Sequence, residues 1–187
     1  MIYASPAAAF TLRRLGAADA AQYRALRLAG LRAFPHAFRP DHEEALQQPL
    51  SWAEQRLSRP DEYWFGAFDA RFDDTELVGA ICLRTQEGRK IRHSASLNAL
   101  VVDPQRQRCG IGRALVAHLL AHLLEFARSL GHLRQITLTV IDGNTAAEKL
   151  YDAFGFRQFG LEPGAVLHDG HYRAMQHRHY SLVTPTS

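Results

Sequence analysis

The alternation of apolar and polar positions changes period several times along this chain, and each change predicts an element. Leu97 to Val102 is an apolar run whose valine pair and alternation suit a strand. Asp103-Pro104 stops it, because proline has no amide hydrogen to give a ladder and restricts the residue before it. A basic loop from Gln105 to Arg108 follows. After Gly110-Ile111-Gly112 the period turns helical: Leu115, Leu119, Leu123, Phe126 and Leu130 fall on one side, Arg113, Ala117, Ala121, Glu125 and Arg128 on the other.

The rest of the pattern is arranged around that strand, loop and helix. A first strand is expected over Phe10 to Leu15, ending at Gly16. Asp19 then starts a helix in which Tyr23, Leu26, Leu28 and Leu31 keep helical spacing through Ala33. Phe34-Pro35-His36-Ala37-Phe38 interrupts it, and a second helical region from Pro40 is broken at Pro49 and ends near Ser58. Tyr63 to Phe68 and Leu77 to Arg84 predict an antiparallel pair with Asp73-Asp74 in the turn; Glu87-Gly88-Arg89 turns into a strand from about Ile91. Gly131 closes the long helix. Gln135 to Ile141 sets Ile136, Leu138 and Val140 against Thr137 and Thr139, a strand with one buried face. A short helix is expected over Thr145 to Ala153, ended by Gly155, then a strand over Phe156 to Phe159. Asp169-Gly170 turns a hairpin between Ala165 to His168 and Tyr172 to Tyr180. This order predicts a single α/β domain over 1–187, a mixed, largely antiparallel sheet flanked by helices, with a loose leader at 1–9 and a loose tail at 183–187.

Composition narrows the class. A chain of 187 residues, 47% hydrophobic and 22% charged, has the make-up of one folded domain. Its formal charge of +3 is dispersed, which suits an anionic small molecule, and no basic face interleaved with aromatics indicates nucleic acid. Cys82 and Cys109 make no disulfide framework, which points to a reducing compartment. The opening MIYASPAAAF lacks the basic start and long apolar core of a signal peptide. No stretch approaches the ~18 apolar residues of a membrane span. The expectation is a cytoplasmic protein that does not enter a membrane.

The glycine loop carries the first candidate chemistry. The first amides of a helix have no internal partner, and the macrodipole places partial positive charge there, so backbone donors can hold a phosphate. Glycines at 110 and 112 remove side chains that would keep a pyrophosphate away. Gln107, Gly110 and Gly112 form Q-x-x-G-x-G, after a strand and at the head of an amphipathic helix. A dinucleotide fingerprint needs a small residue where Leu115 stands, and no G-x-x-x-x-G-K-[ST] occurs.

This motif in this setting resembles the GNAT superfamily of N-acetyltransferases, and the resemblance covers nearly the whole chain from about Thr11. It implies a GNAT-like acyl-CoA N-acyltransferase fold with acetyl-CoA as co-substrate. By resemblance, the backbone of Leu100, Val101 and Val102 would pair with the pantetheine arm. The run Gln107, Arg108, Cys109, Gly110, Ile111, Gly112, with Arg113, would hold the pyrophosphate. Cys109 departs from the family, which more often has a basic or small residue there, but backbone donation does not depend on it. As a nucleophile Cys109 is poorly placed, since that position would face phosphate and not the thioester.

A second match runs from Asn144 through Leu150-Tyr151 to Gly155-Phe156. The resemblance implies that Tyr151 acts as general acid, giving a proton to the departing thiolate; its bland alternative is a core aromatic at a helix end. Asn144 admits two compatible roles, helix cap and cofactor contact. Many members of the family use a glutamate as base on the strand that here reads Leu97-Asn98-Ala99-Leu100, where no carboxylate stands. His93, or a water ordered by Ser96 and Asn98, are the substitutes considered.

The expected reaction is direct attack by a small-molecule or peptide amine on acetyl-CoA in a ternary complex. The alternative is a non-catalytic acyl-CoA-binding or sensor module. His118 and His122 have the spacing of a metal pair but no third ligand in sequence, and His171, His177 and His179 read as one solvated strand face, so no metal site is expected. Phe34 to Phe38 either shapes the acceptor pocket or is a plain hydrophobic turn. An exposed last strand would offer an edge for a homodimer.

Overall fold

The computed structural model describes residues 10–69, 76–107 and 111–183, with the backbone alone for 107 and 111–114. Strands β1 (Phe10–Arg14), β2 (Glu62–Asp69), β3 (Leu77–Thr85), β4 (Ser94–Val102), β5 (Gln135–Ile141), β6 (Arg157–His168) and β7 (His171–Ser181) form one seven-stranded sheet in the order β1-β2-β3-β4-β5-β7-β6. All neighbours are antiparallel except β4 and β5, which run parallel. A parallel step needs a crossover, and α5 (Ile111–Ser129) supplies it. The other helices are α1 (Ala20–Ala33), α2 (His42–Gln47) and α3 (Leu50–Leu57) between β1 and β2, α4 (Pro104–Gln107) after β4, and α6 (Thr145–Ala153) after β5.

Alternation along the strands divides the core into two layers. On one face, Tyr23 and Leu26 of α1 and Ala53 and Leu57 of α3 pack on Trp64, Ala80 and Cys82. On the other, Leu115, Leu119, Leu120 and Leu123 of α5 pack with Phe65, Val78, Ile81 and Leu83, and Tyr151 of α6 joins Leu138 and Val140. Trp64 and Phe65 are consecutive and face opposite layers, as a pleated strand requires.

Four details depart from the expected pattern. β4 begins at Ser94, not near Ile91, because the Gly88 carbonyl accepts from the amides of Ile91 and Arg92 and holds that segment as a turn; Gly88 takes φ +112° to make it. Gln105 to Gln107 is not loop but the helical turn α4: Pro104 suits its first position, and Asp103 Oδ1 accepts from the Gln105 amide at 3.0 Å. The two expected strands 156–159 and 165–168 are one strand, β6, bulged between Glu162 and Val166. Pro163 is tolerated there because β6 is an edge strand, bonded only to β7. The last strand, β7, is therefore internal, and the exposed edge belongs to β6. The expected Asp73-Asp74 turn and leader, and the tail beyond Val183, lie outside the described residues. No described helix is long and apolar enough to cross a membrane.

Candidate active site

The ladder between β4 and β5 is short. It holds Ser94↔Gln135, Ala95↔Ile136 and Ser96↔Thr137, and then ends, although β4 continues to Val102 and β5 to Ile141. Beyond Ser96, β4 stays on β3 as far as Gly79↔Val102 and β5 stays on β7 as far as Ile141↔Met175. The two strands therefore diverge, and the sheet opens between them. A bulge accompanies the divergence: Ala80↔Val101 and Cys82↔Asn98 leave Ala99 and Leu100 together opposite Ile81. An extra residue bends and twists the strand that carries it. Ala99 takes φ +52° to do so, a conformation that costs an alanine about 1–2 kcal/mol. Leu100, Val101 and Val102 form the β4 wall of the opening, where an extended ligand bearing amides can lie alongside backbone donors and acceptors.

Ile111, Gly112 and Arg113 form the first turn of α5, so their amides have no partner within the helix. Arg108, Cys109 and Gly110 lie outside the described residues, and Gln107 closes α4. Arg106 has a different task from its neighbours in the expected basic loop. Its guanidinium pairs with Asp69 at 3.0 Å, Glu76 at 3.0 Å and Asp103 at 3.8 Å, and the Asp69 carboxylate is fully buried. That cation ties α4 to the ends of β2 and β3.

On the α5 and α6 side, Asn144 caps α6: its Oδ1 accepts from the Ala147 amide at 3.3 Å. Tyr151 is buried on the inner face of the same helix, its ring edge-on to Phe156 at 5.7 Å. Burial pushes the Tyr151 phenol up, and the Arg178 guanidinium only partly opposes this, so the group keeps its proton. No hydrogen bond engages its hydroxyl among the described residues.

Arg178 and Gln176, neither foreseen from sequence, set where α6 sits. Buried Arg178 donates to Asp152 Oδ1 at 2.7 Å, Gln176 Oε1 at 2.9 Å and the Glu148 carbonyl at 3.3 Å. Gln176 donates to Asp142 Oδ1 at 2.6 Å and Glu148 Oε1 at 3.1 Å. Their sequence signal was the alternation of β7 itself, which sends residues 176 and 178 to the face opposite His177 and His179.

On the α1 and α3 side, Asn98 Nδ2 donates to Ser96 Oγ at 2.8 Å, just where the ladder ends. His93 is exposed in the turn before β4, where its carbonyl accepts from the amides of Arg134 and Gln135. The structure does not bring its ring to the opening. A cleft of about 460 Å³ is lined by Trp52, Gln55, Arg56, Arg59, Glu62 and Arg84. A neighbouring one of about 510 Å³ shares Arg59 and Arg84 and reaches Ser96. Glu62, almost wholly buried, accepts from Trp64 Nε1 at 3.0 Å and pairs with Arg56 at 3.2 Å. Burial, reinforced by Glu62, pushes the Cys82 thiol up and leaves it a poor nucleophile.

The Phe34 to Phe38 segment makes a short 3-10 turn, and His36 packs edge-on to His168 of β6 at 4.4 Å. It thus meets the final hairpin across the sheet. His122 packs edge-on to Phe65 at 4.9 Å, and His177 bonds Glu162 at 3.1 Å. Among the described residues no group of His, Cys, Asp or Glu could hold a metal ion.

Residues 29–156 match the family model described as Acetyltransferase (GNAT) family. The mycothiol acetyltransferase of Geodermatophilus obscurus is 36% identical over 119 residues, which cover 60% of this chain and 36% of that protein. That of Thermobispora bispora is 44% identical over 61 residues, 33% of this chain and 19% of that protein. The match thus spans about a third or less of these relatives' length. Among solved structures, the acetyltransferase of GNAT family from Streptococcus pneumoniae superposes with a TM-score of 0.75 at 20% identity, covering 92% of this chain and 98% of that one. The spermidine N-acetyltransferase from Vibrio cholerae in complex with CoA and spermine gives 0.72 at 21% identity, covering 94% and 96%.

Proposed function

The chain belongs to the GNAT acetyltransferase family, and from that premise we propose that it moves the acetyl group of acetyl-CoA to an amine by direct attack in a ternary complex. The observation that carries this reading is the opening between β4 and β5, with the α5 amides beyond its wide end and Tyr151 packed beside β5. Acetyl-CoA is the co-substrate. Its pantetheine arm lies along Leu100, Val101 and Val102, and its pyrophosphate meets the first turn of α5, with Gln107, Arg108, Cys109, Gly110, Ile111, Gly112 and Arg113 as the cradle. Asn144 contributes from the head of α6.

The amine nitrogen attacks the thioester carbonyl carbon, the new C–N bond forms, and the C–S bond breaks. The thiolate takes the phenolic proton of Tyr151, which the burial of that side chain keeps in place. The proton shed by the attacking amine leaves through water ordered by Ser96 and Asn98, since β4 offers no carboxylate there. A binding module without activity is the competing reading, favoured by that missing base.

Calorimetric titration with acetyl-CoA tests the cradle. Wild type should bind, and Gly112→Asp and Gly110→Asp should not, because a carboxylate would occupy the phosphate position. A wild-type protein that fails to bind refutes the reading. Binding without thiol release across a broad amine panel leaves the binding module as the answer.

A further inference from the structure

We infer that the acceptor carries a carboxylate as well as its amine, and that Arg27 of α1 receives that carboxylate beside the Tyr23 hydroxyl and the Trp52 ring. The inference rests on the acetyltransferase reading and names the class of its second substrate.

The inward stripe of α1 is Tyr23, Leu26, Gly30 and Leu31, all buried. Arg27 interrupts it, one turn after Tyr23 and one turn before Gly30. A Cβ on Gly30 would sit 2.6 Å from Val101 Cγ2, so this part of α1 lies directly against β4. At the other end of the stripe, Tyr23 packs on Trp64 at 4.7 Å, and Trp64 stands opposite Cys82 in the β2–β3 ladder. Cys82 stands opposite Asn98, on the wall of the opening. Tyr23 and Arg27 therefore lie on the α1 and α3 face of β2, β3 and β4, the face that also carries Asn98 beyond the end of the ladder.

The two heads face each other, and each keeps a buried polar atom without a well-directed partner. The Tyr23 hydroxyl and Arg27 Nε are buried without a well-directed hydrogen bond among the described residues. The other arginines nearby are engaged: Arg56 with Glu62, Arg59 and Arg84 with Asp61. No ion pair among the described residues uses Arg27; its guanidinium instead lies 5.2 Å from the Trp52 ring centroid, and that ring lines the cleft. Arg27 is half-buried, and leaving its Nε and the Tyr23 hydroxyl without a well-directed acceptor is costly; a ligand that supplies that acceptor recovers the cost. One guanidinium and one hydroxyl match the single charge and two oxygens of a carboxylate. A phosphate dianion would keep one charge uncovered.

Matched pairs of amines test this: phenylalanine with phenethylamine, tyrosine with tyramine, lysine with cadaverine, ornithine with putrescine, each assayed by thiol release from acetyl-CoA. The carboxylate member of a pair should show kcat/KM at least about tenfold higher, the scale of one charge-assisted hydrogen bond. Arg27→Met should erase that preference through KM, leave the affinity for acetyl-CoA unchanged, and spare the amines without a carboxylate; Arg27→Lys should restore part of it. Because the guanidinium has no protein counter-ion, Arg27→Met should melt at or above the wild-type temperature. Equal kcat/KM within pairs, equal loss on both members, or a lowered melting temperature overturns the inference. If no pair is turned over, calorimetry with the N-acetyl amino acids in the presence of CoA decides, and absence of binding overturns it. Acetyl-CoA binding and turnover of simple amines report on the acetyltransferase reading separately.

Discussion

As the proposed proton donor, Tyr151 depends on the surroundings of its side chain. Packed with Phe156 and the β5 side chains, it keeps its proton well above the range where an exposed phenol titrates. Replacing it by phenylalanine removes the oxygen and little else, so kcat should fall about 100-fold or more while the calorimetric affinity for acetyl-CoA is unchanged. The same raised pKa makes a stability statement. The unfolded chain loses this proton near pH 10 and the folded chain does not, so the group stabilises the fold fully below that pH. The contribution is lost as pH rises toward the folded pKa. Tyr151→Phe should therefore flatten the alkaline limb of a melting-temperature profile. The place of Asn144 at the head of a short helix and of Tyr151 on its inner face was legible in the sequence from spacing; the roles proposed for them come from the family resemblance. Arg27 was not, because one cation inside an apolar stripe reads as the polar flank of the helix until the neighbouring glycine shows how closely β4 approaches.

At the scale of elements, the decisive feature is a strand that leaves its neighbour. The order of strands and helices could be read from changes in hydrophobic period, and so could the strand, turn and helix around Pro104. The bulge at Ala99 could not, since alanine gives no sign that it will take a left-handed conformation. Its consequence is testable. A β-branched residue tolerates positive φ far less well than alanine does. Ala99→Val should cost about 1–3 kcal/mol, and it should weaken acetyl-CoA binding through the altered path of β4. Ala99→Gly relieves the strain and should bind as wild type does; calorimetry and thermal melts on the pair separate the two effects. The division of β6 into two expected strands has the opposite origin. Pro163 and Gly164 announce a break, but on an edge strand a break is absorbed as a bulge.

Across the whole molecule, each half of the sheet is a continuous stretch of chain. Strands β1 to β4 all precede α5, and β5, β6 and β7 all follow it. Arg106, at the junction, stabilises the first half by facing the buried Asp69 carboxylate. Arg106→Met should cost about 3 kcal/mol, seen in denaturant melts, and should leave acetyl-CoA affinity intact at temperatures where the variant is folded, which sets it apart from a phosphate ligand. The halves meet through the pairs Ser94↔Gln135, Ala95↔Ile136 and Ser96↔Thr137. Within the sheet this is two plates riveted near one corner, and beneath it they share one apolar core. Their rivets should be the weakest part of the sheet in the empty protein, so amides at that corner should exchange with solvent sooner than those in the middle of either plate. A molecule lying in the opening would touch both plates where their strands are not paired, and would brace them. On the proposed function, each cycle of filling and emptying would stiffen and slacken the whole sheet, and cargo would become, for its residence time, a structural member.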